Sequence, residues 1–520
     1  MTGARRRFAL LAVALLLGAG APASAQTFPT NNRVIRNMWE QGMGAGSQVE
    51  RLAQVLADSI GPRLIASPGY YDAVDWATKM YEGWRIPVRK EQYGTWTSWR
   101  RGHTRLDLIA PRFRSLQGTM LAWSPGTQGP VEGDVVVLPD LPDAAAYTGW
   151  LAGIRGKFVM IGPPEATCRP IDNLIAFARP ETLQRLGAQH DSLVMAWSSR
   201  YQRFGGGFGA RLDASGAAGV FTSLWSQGWG VNKIHDSVTL FGVNITRVPS
   251  LDLSCEDYGL LYRLADRQQG PRLRLDADSE PLGEQPVYNV AAELRGTQLP
   301  NEYVVLSAHF DSWDSASGAT DNGTGTIMMM EAMRILKATY PNPRRTIIVG
   351  HWGGEEQGEH GSGSFAADHP EVIEGLQVGL NQDNGTWRID AIRMRGFTEA
   401  QENVARWLRS IPREIADTVK FESPVDEGGS DHESFNCYGV PFLRLQSSNY
   451  PDYRQYTWHT NVDTYDKVII DDLKNNATLV AMLAYQASED RQKLSRVRSP
   501  LDVRGRPFPA CSPPQRKSTG

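Results

Sequence analysis

Two histidines and a scattered set of carboxylates carry the chemistry in this 520-residue sequence. His309 ends the apolar run YVVLSAHF, and Asp311 follows in HFDSWD. On extended backbone, positions i and i+2 share a face. Asp311 can therefore accept a hydrogen bond from whichever ring nitrogen of His309 a metal leaves free. Asp321, in GATDNGTG, opens a helical run. Alone it reads as a helix N-cap; shortly after a strand-end His-x-Asp it reads as a ligand. Glu355 and Glu356 follow the apolar run TIIVGHW. Adjacent side chains at a strand end diverge, which supplies one metal ligand and one general base. Asp383 ends GLNQD, and His459 lies in HTNVDT. Imidazole with carboxylate suits zinc better than calcium. A shared carboxylate with two further ligands per ion would set two zinc ions ~3.5–4 Å apart, where they acidify a bridging water and polarise a carbonyl.

These residues need a frame. YNVAAEL, YVVLSAHF, TIIVGHW and LQVGLNQD read as buried strands, and TIMMMEAMRILKAT between them has helical apolar spacing. Strand alternating with helix predicts an α/β fold with a mixed, largely parallel central sheet and helices on both faces. The carboxyl ends of such strands face the ligand crevice, and there the candidate ligands fall. Residues 47–60 and 70–84 have helical spacing, and 88–125 read as strands. From about 126 to 283 the texture changes to short pieces (VEGDVVVLPD, KFVMIGPP, GAAGVFTSLW, VPSLDLS) joined by Gly and Pro. The expected organisation is therefore one metal-binding domain built from 26–125 and 284–490, interrupted by a β-rich insertion at 126–283. A polar, Pro-rich tail at 491–520 is expected to be loose.

The start of the chain reads as an export signal over 1–25: Arg5 to Arg7, an apolar stretch from Phe8 to Leu17, and the small-residue site Ala23-Ser24-Ala25. The stretch is shorter than the ~20 residues a membrane span needs, so stable membrane insertion is not expected. A periplasmic or extracellular location follows, and it permits disulfides among Cys168, Cys255, Cys437 and Cys511. Cys168 with Cys255 is one plausible pair; sequence leaves the pairing open. The net charge of −3, with no basic stripe, argues against a nucleic-acid partner.

HFDSWD, GATDNGTG, GGEEQG, LNQDNG and HTNVDT, in this order, resemble the co-catalytic di-zinc exopeptidase family of bacterial leucyl aminopeptidases and carboxypeptidase Q. GPRL at 61–64, WTSWRRG and LIAPR bring the carboxypeptidase Q branch nearer, and the likeness spans most of 35–490. The resemblance implies a zinc-exopeptidase fold interrupted by a protease-associated domain. It implies His309 and Asp383 on one zinc, Glu356 and His459 on the other, and Asp321 bridging. Glu355 would be general base and then acid, with Asp311 behind His309. His432, in GSDHESF, is implied as a substrate contact. Trp458 departs from the family, which often has a second His there. Short peptides are the implied substrate and a homodimer the implied assembly. The other histidines (His103, His190, His235, His351, His360 and His369) lack partner motifs and are expected to be structural or exposed. Two competing functions are a glutaminyl cyclase-type acyl transfer, which needs a single zinc, and a non-catalytic binding protein, which would be expected to have lost ligands.

Overall fold

The structure is a computed structural model that describes residues 30–236, 246–422, 429–502 and 504–518. The expected export signal lies outside those residues. The strands are β1 (Val88–Ala110), β2 (Arg114–Leu116), β3 (Gly118–Met120), β4 (Val131–Val137), β5 (Phe158–Met160), β6 (Gly219–Thr222) and β7 (Ser250–Leu253). They continue with β8 (Arg272–Leu294), β9 (Leu299–His309), β10 (Arg345–Trp352), β11 (Leu376–Gln382), β12 (Ile389–Arg393), β13 (Lys420–Glu422) and β14 (Phe442–Ser447). The main layer runs β13-β12-β14-β11-β9-β10-β8, with β1 beyond β8. Its centre is parallel: β9 lies between β10 and β11, and β11 pairs with β14. The β8 and β12 contacts with β10 and β14 are antiparallel, so the sheet is mixed.

Alternation along the central strands explains the two covered faces. Val304, Leu306 and Ala308 of β9 point into the larger apolar cluster with Met328 and Met333, on the side of the helices Arg33–Met43, Thr324–Thr339 and Ile470–Glu489. Tyr303 and Val305 point the other way, into a cluster with Trp352, Phe365 and Phe442. The helix Thr324–Thr339 is rich in Met, Ile and Ala, and it is buried continuously from Thr324 to Leu336. A helix apolar on every side belongs inside. The helix Arg33–Met43 was not singled out by sequence spacing; Asn32 caps it by accepting from the N–H groups of Val34 and Ile35.

A 23-residue antiparallel ribbon joins the two parts of the molecule. One half of β8 lies between β1 and β10, and the other lies between β1 and β4. From β4 a second layer continues through β5, β6 and β7, all parallel, and ends on antiparallel β3. This region holds more helix than a β-rich reading expects. Its longest helix, Pro180–Phe204, buries only Trp197 and Phe204. Such a polar surface offers little apolar spacing to a sequence reading.

The tail also departs from expectation. Cys437 is bonded to Cys511, and Arg516 holds Asp368 at 2.7 and 2.9 Å. The backbone oxygen of Arg516 accepts from the Thr95 N–H of β1 at 2.9 Å. The tail is thus fastened along the outer edge of the sheet by its own cysteine and arginine. Cys168 pairs with Cys255, and no cysteine is free. Among the described residues no helix is long and apolar enough to cross a membrane.

Candidate metal centre

Because β9, β10 and β11 are parallel neighbours, their carboxyl ends open on one edge of the sheet. His309 is the last residue of β9, Glu355 and Glu356 lie just beyond β10, and Asp383 follows β11. Asp321 sits in the turn that starts the helix Thr324–Thr339, and its peptide bond to Asn322 is cis. His459 comes from a loop and takes a left-handed backbone with φ 54°. His309 Nε2 is 3.3 Å from Asp383 Oδ1 and 3.8 Å from Asp321 Oδ1. His459 Nε2 is 3.3 Å from Asp321 Oδ2 and 2.9 Å from Glu356 Oε2. The five side chains thus make two triads that share Asp321: His309, Asp321 and Asp383, and Asp321, Glu356 and His459. Glu355 Oε2 stands 3.8 Å from His309 Nε2 and belongs to neither.

The donor set fits cations. His309 Nε2, Asp321 Oδ2 and Asp383 Oδ1 are buried and make no hydrogen bond among the described residues. Orphaned buried atoms of this kind are costly unless something binds them. Burial, with repulsion from Glu356 and Asp383, pushes the Asp321 carboxyl well above its ordinary range. Burial also raises Glu356, to about 8, and raises Glu355 well above its usual value, with His309 opposing both. Burial opposes the charged form of His309, yet Glu355 and Asp383 hold its pKa well above normal. So much buried negative charge calls for positive charge in the gap.

The surrounding contacts fix the ligands. His309 Nδ1 lies 3.0 Å from the backbone oxygen of Asp311 and 3.6 Å from its carboxylate. The main-chain oxygen of Asp311 is thus the nearer partner of the ring, with its carboxylate alongside. That carboxylate also accepts from the N–H groups of Glu355 and Glu356, at 3.3 and 3.4 Å. Asp463, quoted in HTNVDT without a role, accepts from Thr320 N–H at 2.9 Å and Asp321 N–H at 3.0 Å, and so sets the bridging turn. Arg63, in GPRL, is fully buried and donates to the oxygens of Phe310 and Gly318. Trp313 N–H donates to Glu356 Oε1 at 3.2 Å, and the next residue, Asp314, is held by Arg101 of β1 through two contacts of 2.7 Å.

One expectation changes. His432 is fully buried, 3.4 Å from the Asn381 side chain, and absent from the walls of the cavity at the centre. The His432 side chain is folded inward, and Arg444 and Tyr450 line the cavity. His235, expected to be structural or exposed, packs against the centre, its ring 4.9 Å from that of His459. It arrives with a strip of the second layer: Ile234 N–H donates to His459 O, Asn461 N–H donates to Asn232 O, and Lys233 Nζ donates to Trp458 O. Burial lowers the Lys233 pKa to about 7. Nothing in the spacing of 231–236 marks it, because its partners lie more than 220 residues away.

The centre opens on a cavity of about 600 Å³ lined by Asp321, Glu355, Glu356, Asp383 and His459 together with Arg444, Arg454 and Trp458. Residues 289–484 match Peptidase family M28. Carboxypeptidase Q of Mus musculus is 23% identical over 469 residues, covering 89% of this chain and 90% of its own. Carboxypeptidase Q of Pongo abelii is 24% identical over 470 residues, covering 89% and 90%. Among solved structures, the Peptidase M28 precursor of Shewanella amazonensis superposes with a TM-score of 0.66 at 23% identity, covering 89% of this chain and 97% of that one. BSAP, a zinc aminopeptidase from Bacillus subtilis, superposes at 0.55 with 17% identity, covering 86% and 96%. At such identities these superpositions speak for the fold.

Proposed function

We propose, from the premise that residues 289–484 belong to Peptidase family M28, that this chain is an exported zinc exopeptidase that hydrolyses dipeptides or removes N-terminal residues from short peptides. The observation that carries the reading is a pair of triads sharing Asp321, with Glu355 left unclaimed beside them. His309 and Asp383 would hold one zinc, Glu356 and His459 the other, and Asp321 both. Bound zinc would supply Lewis acidity to a water and to the scissile carbonyl. The carboxypeptidase Q relatives and the Bacillus subtilis zinc aminopeptidase support the metal and the exopeptidase class.

Glu355 does the proton work in this reading. Its raised pKa suits a group that takes a proton from the attacking water and returns it to the departing amine. A cavity of about 600 Å³ suits a ligand of one or two residues rather than a long chain. The two disulfides suit an oxidising compartment. The second layer, read as a protease-associated domain, would close one side of the cleft through its strip against His459. The test is Glu355→Ala in zinc-loaded protein, assayed by metal analysis and dipeptide hydrolysis. The expected result is two zinc ions per chain and no turnover. Normal turnover would refute the base assignment, and one firmly bound ion would favour the cyclase-type chemistry.

A further inference from the structure

A second cavity, of about 820 Å³, lies across Glu356 from the first. The two share Glu356 and Gly358. Its walls include four tryptophans: Trp96 and Trp99 of β1, Trp123, and Trp313 of the HFDSWD loop. The Trp313 ring lies between the two sites, 6.3 Å from Trp123 and 5.9 Å from His459. The fastened tail forms part of the rim through Gln515 and Ser518. Amid these rings the Gln357 side chain is an anomaly. Its amide nitrogen and oxygen are both buried without a hydrogen-bond partner among the described residues, and the same holds for Trp313 Nε1. Buried polar groups left unmet in this way are costly unless a ligand satisfies them.

We propose that this cavity is a substrate subsite for an aromatic side chain of the peptide, whose neighbouring main-chain donor and acceptor pair with the Gln357 carboxamide. The inference rests on the exopeptidase reading and names the substrate class for it. Flat indole faces match an aromatic ring, and a carboxamide presents the same donor and acceptor as a peptide group. Glu356 and Gly358, shared by both cavities, connect that pocket to the metal centre.

The test compares kcat/KM for Phe-Ala, Ala-Phe and Ala-Ala on zinc-loaded full-length protein. Burying the ring predicts a preference of about tenfold or more for one of the two Phe dipeptides over Ala-Ala. Trp123→Ala should reduce that preference to about twofold or less. If Trp123→Ala fails to fold, Gln357→Leu keeps the test open and should cut the preference at least about threefold. A preference that survives the folded variant, or no preference at all, overturns the subsite and leaves the exopeptidase reading standing. If no dipeptide is cleaved, the exopeptidase reading falls. The subsite is then judged by titrating the chelated protein with Phe-Ala and Ala-Phe, where tryptophan fluorescence must respond and Trp123→Ala must abolish the response.

Discussion

Arg101→Met should destabilise the protein and loosen its metal centre together. The Arg101 and Asp314 side chains are 14% and 8% exposed, and they meet through two contacts of 2.7 Å. The same guanidinium also donates to the backbone oxygen of Met120. Methionine would leave Asp314 ionised in a poorly solvated site and the Met120 oxygen unmet. Removing one partner of a buried pair costs about 3–5 kcal/mol; the residual exposure of Arg101 places the expectation near ~3 kcal/mol. For a chain of this size that corresponds to a fall in Tm of roughly 3 °C. Asp314 follows Trp313, whose N–H orients Glu356, so zinc retention against a chelator should weaken in step. The assay is thermal melting of the zinc-loaded single variants and of Arg101→Met with Asp314→Leu. The double variant should recover much of the loss, since an apolar pair carries no stranded charge. A shift under about 1 °C, or a double variant no better than the single, would refute this account of the pair.

The ion-free protein should lose stability as pH rises from about 5 to 8, because Asp321, Glu355 and Glu356 are protonated more readily in the fold than in the open chain. The zinc-dependent gain in Tm should therefore be larger at pH 8 than at pH 5, and a gain that shrinks would contradict it. His369 hydrogen-bonds Glu91 of β1 at 3.2 Å and Glu371 at 3.0 Å, which raises its pKa. That contribution is complete below the ordinary value of about 6.5 and is lost as pH climbs through the raised one. His369→Asn should thus cost about 1 kcal/mol in urea unfolding at pH 5.5 and little at pH 9, and an equal loss at both would count against it. Replacing Cys437 and Cys511 by serine opens a 74-residue loop and should cost about 2–4 kcal/mol. Limited proteolysis should then clip the tail before the core, and a tail still protected would argue that Arg516 alone suffices.

The sequence was most legible where chemistry and periodicity coincide. His309, Glu355, Glu356 and Asp383 could be grouped because each ends an apolar run of strand length, and parallel strands bring such ends together. Asp321 was legible from its position before the Met-rich helix. What escaped was set by distant contacts. The inward fold of His432 depends on Asn381, and the place of His235 depends on pairing between 231–236 and 459–461. The helix Pro180–Phe204 escaped because a solvated helix has little apolar rhythm. The tail misled for a simpler reason. Polar, Pro-rich composition describes its own propensity and says nothing of the cysteine and arginine that fasten it to other elements.

That fastening has a consequence for how the molecule is made. Thr95 leaves the ribosome among the first hundred residues, and its covering partners Arg516 and Lys517 leave among the last. Throughout synthesis the rim of β1 stays bare, and a bare strand rim is a template for stray pairing between chains. Stalled or shortened products lacking the last ten or so residues should therefore be the species that clump. A purification handle is better kept away from Arg516 and Lys517, which close the rim of β1.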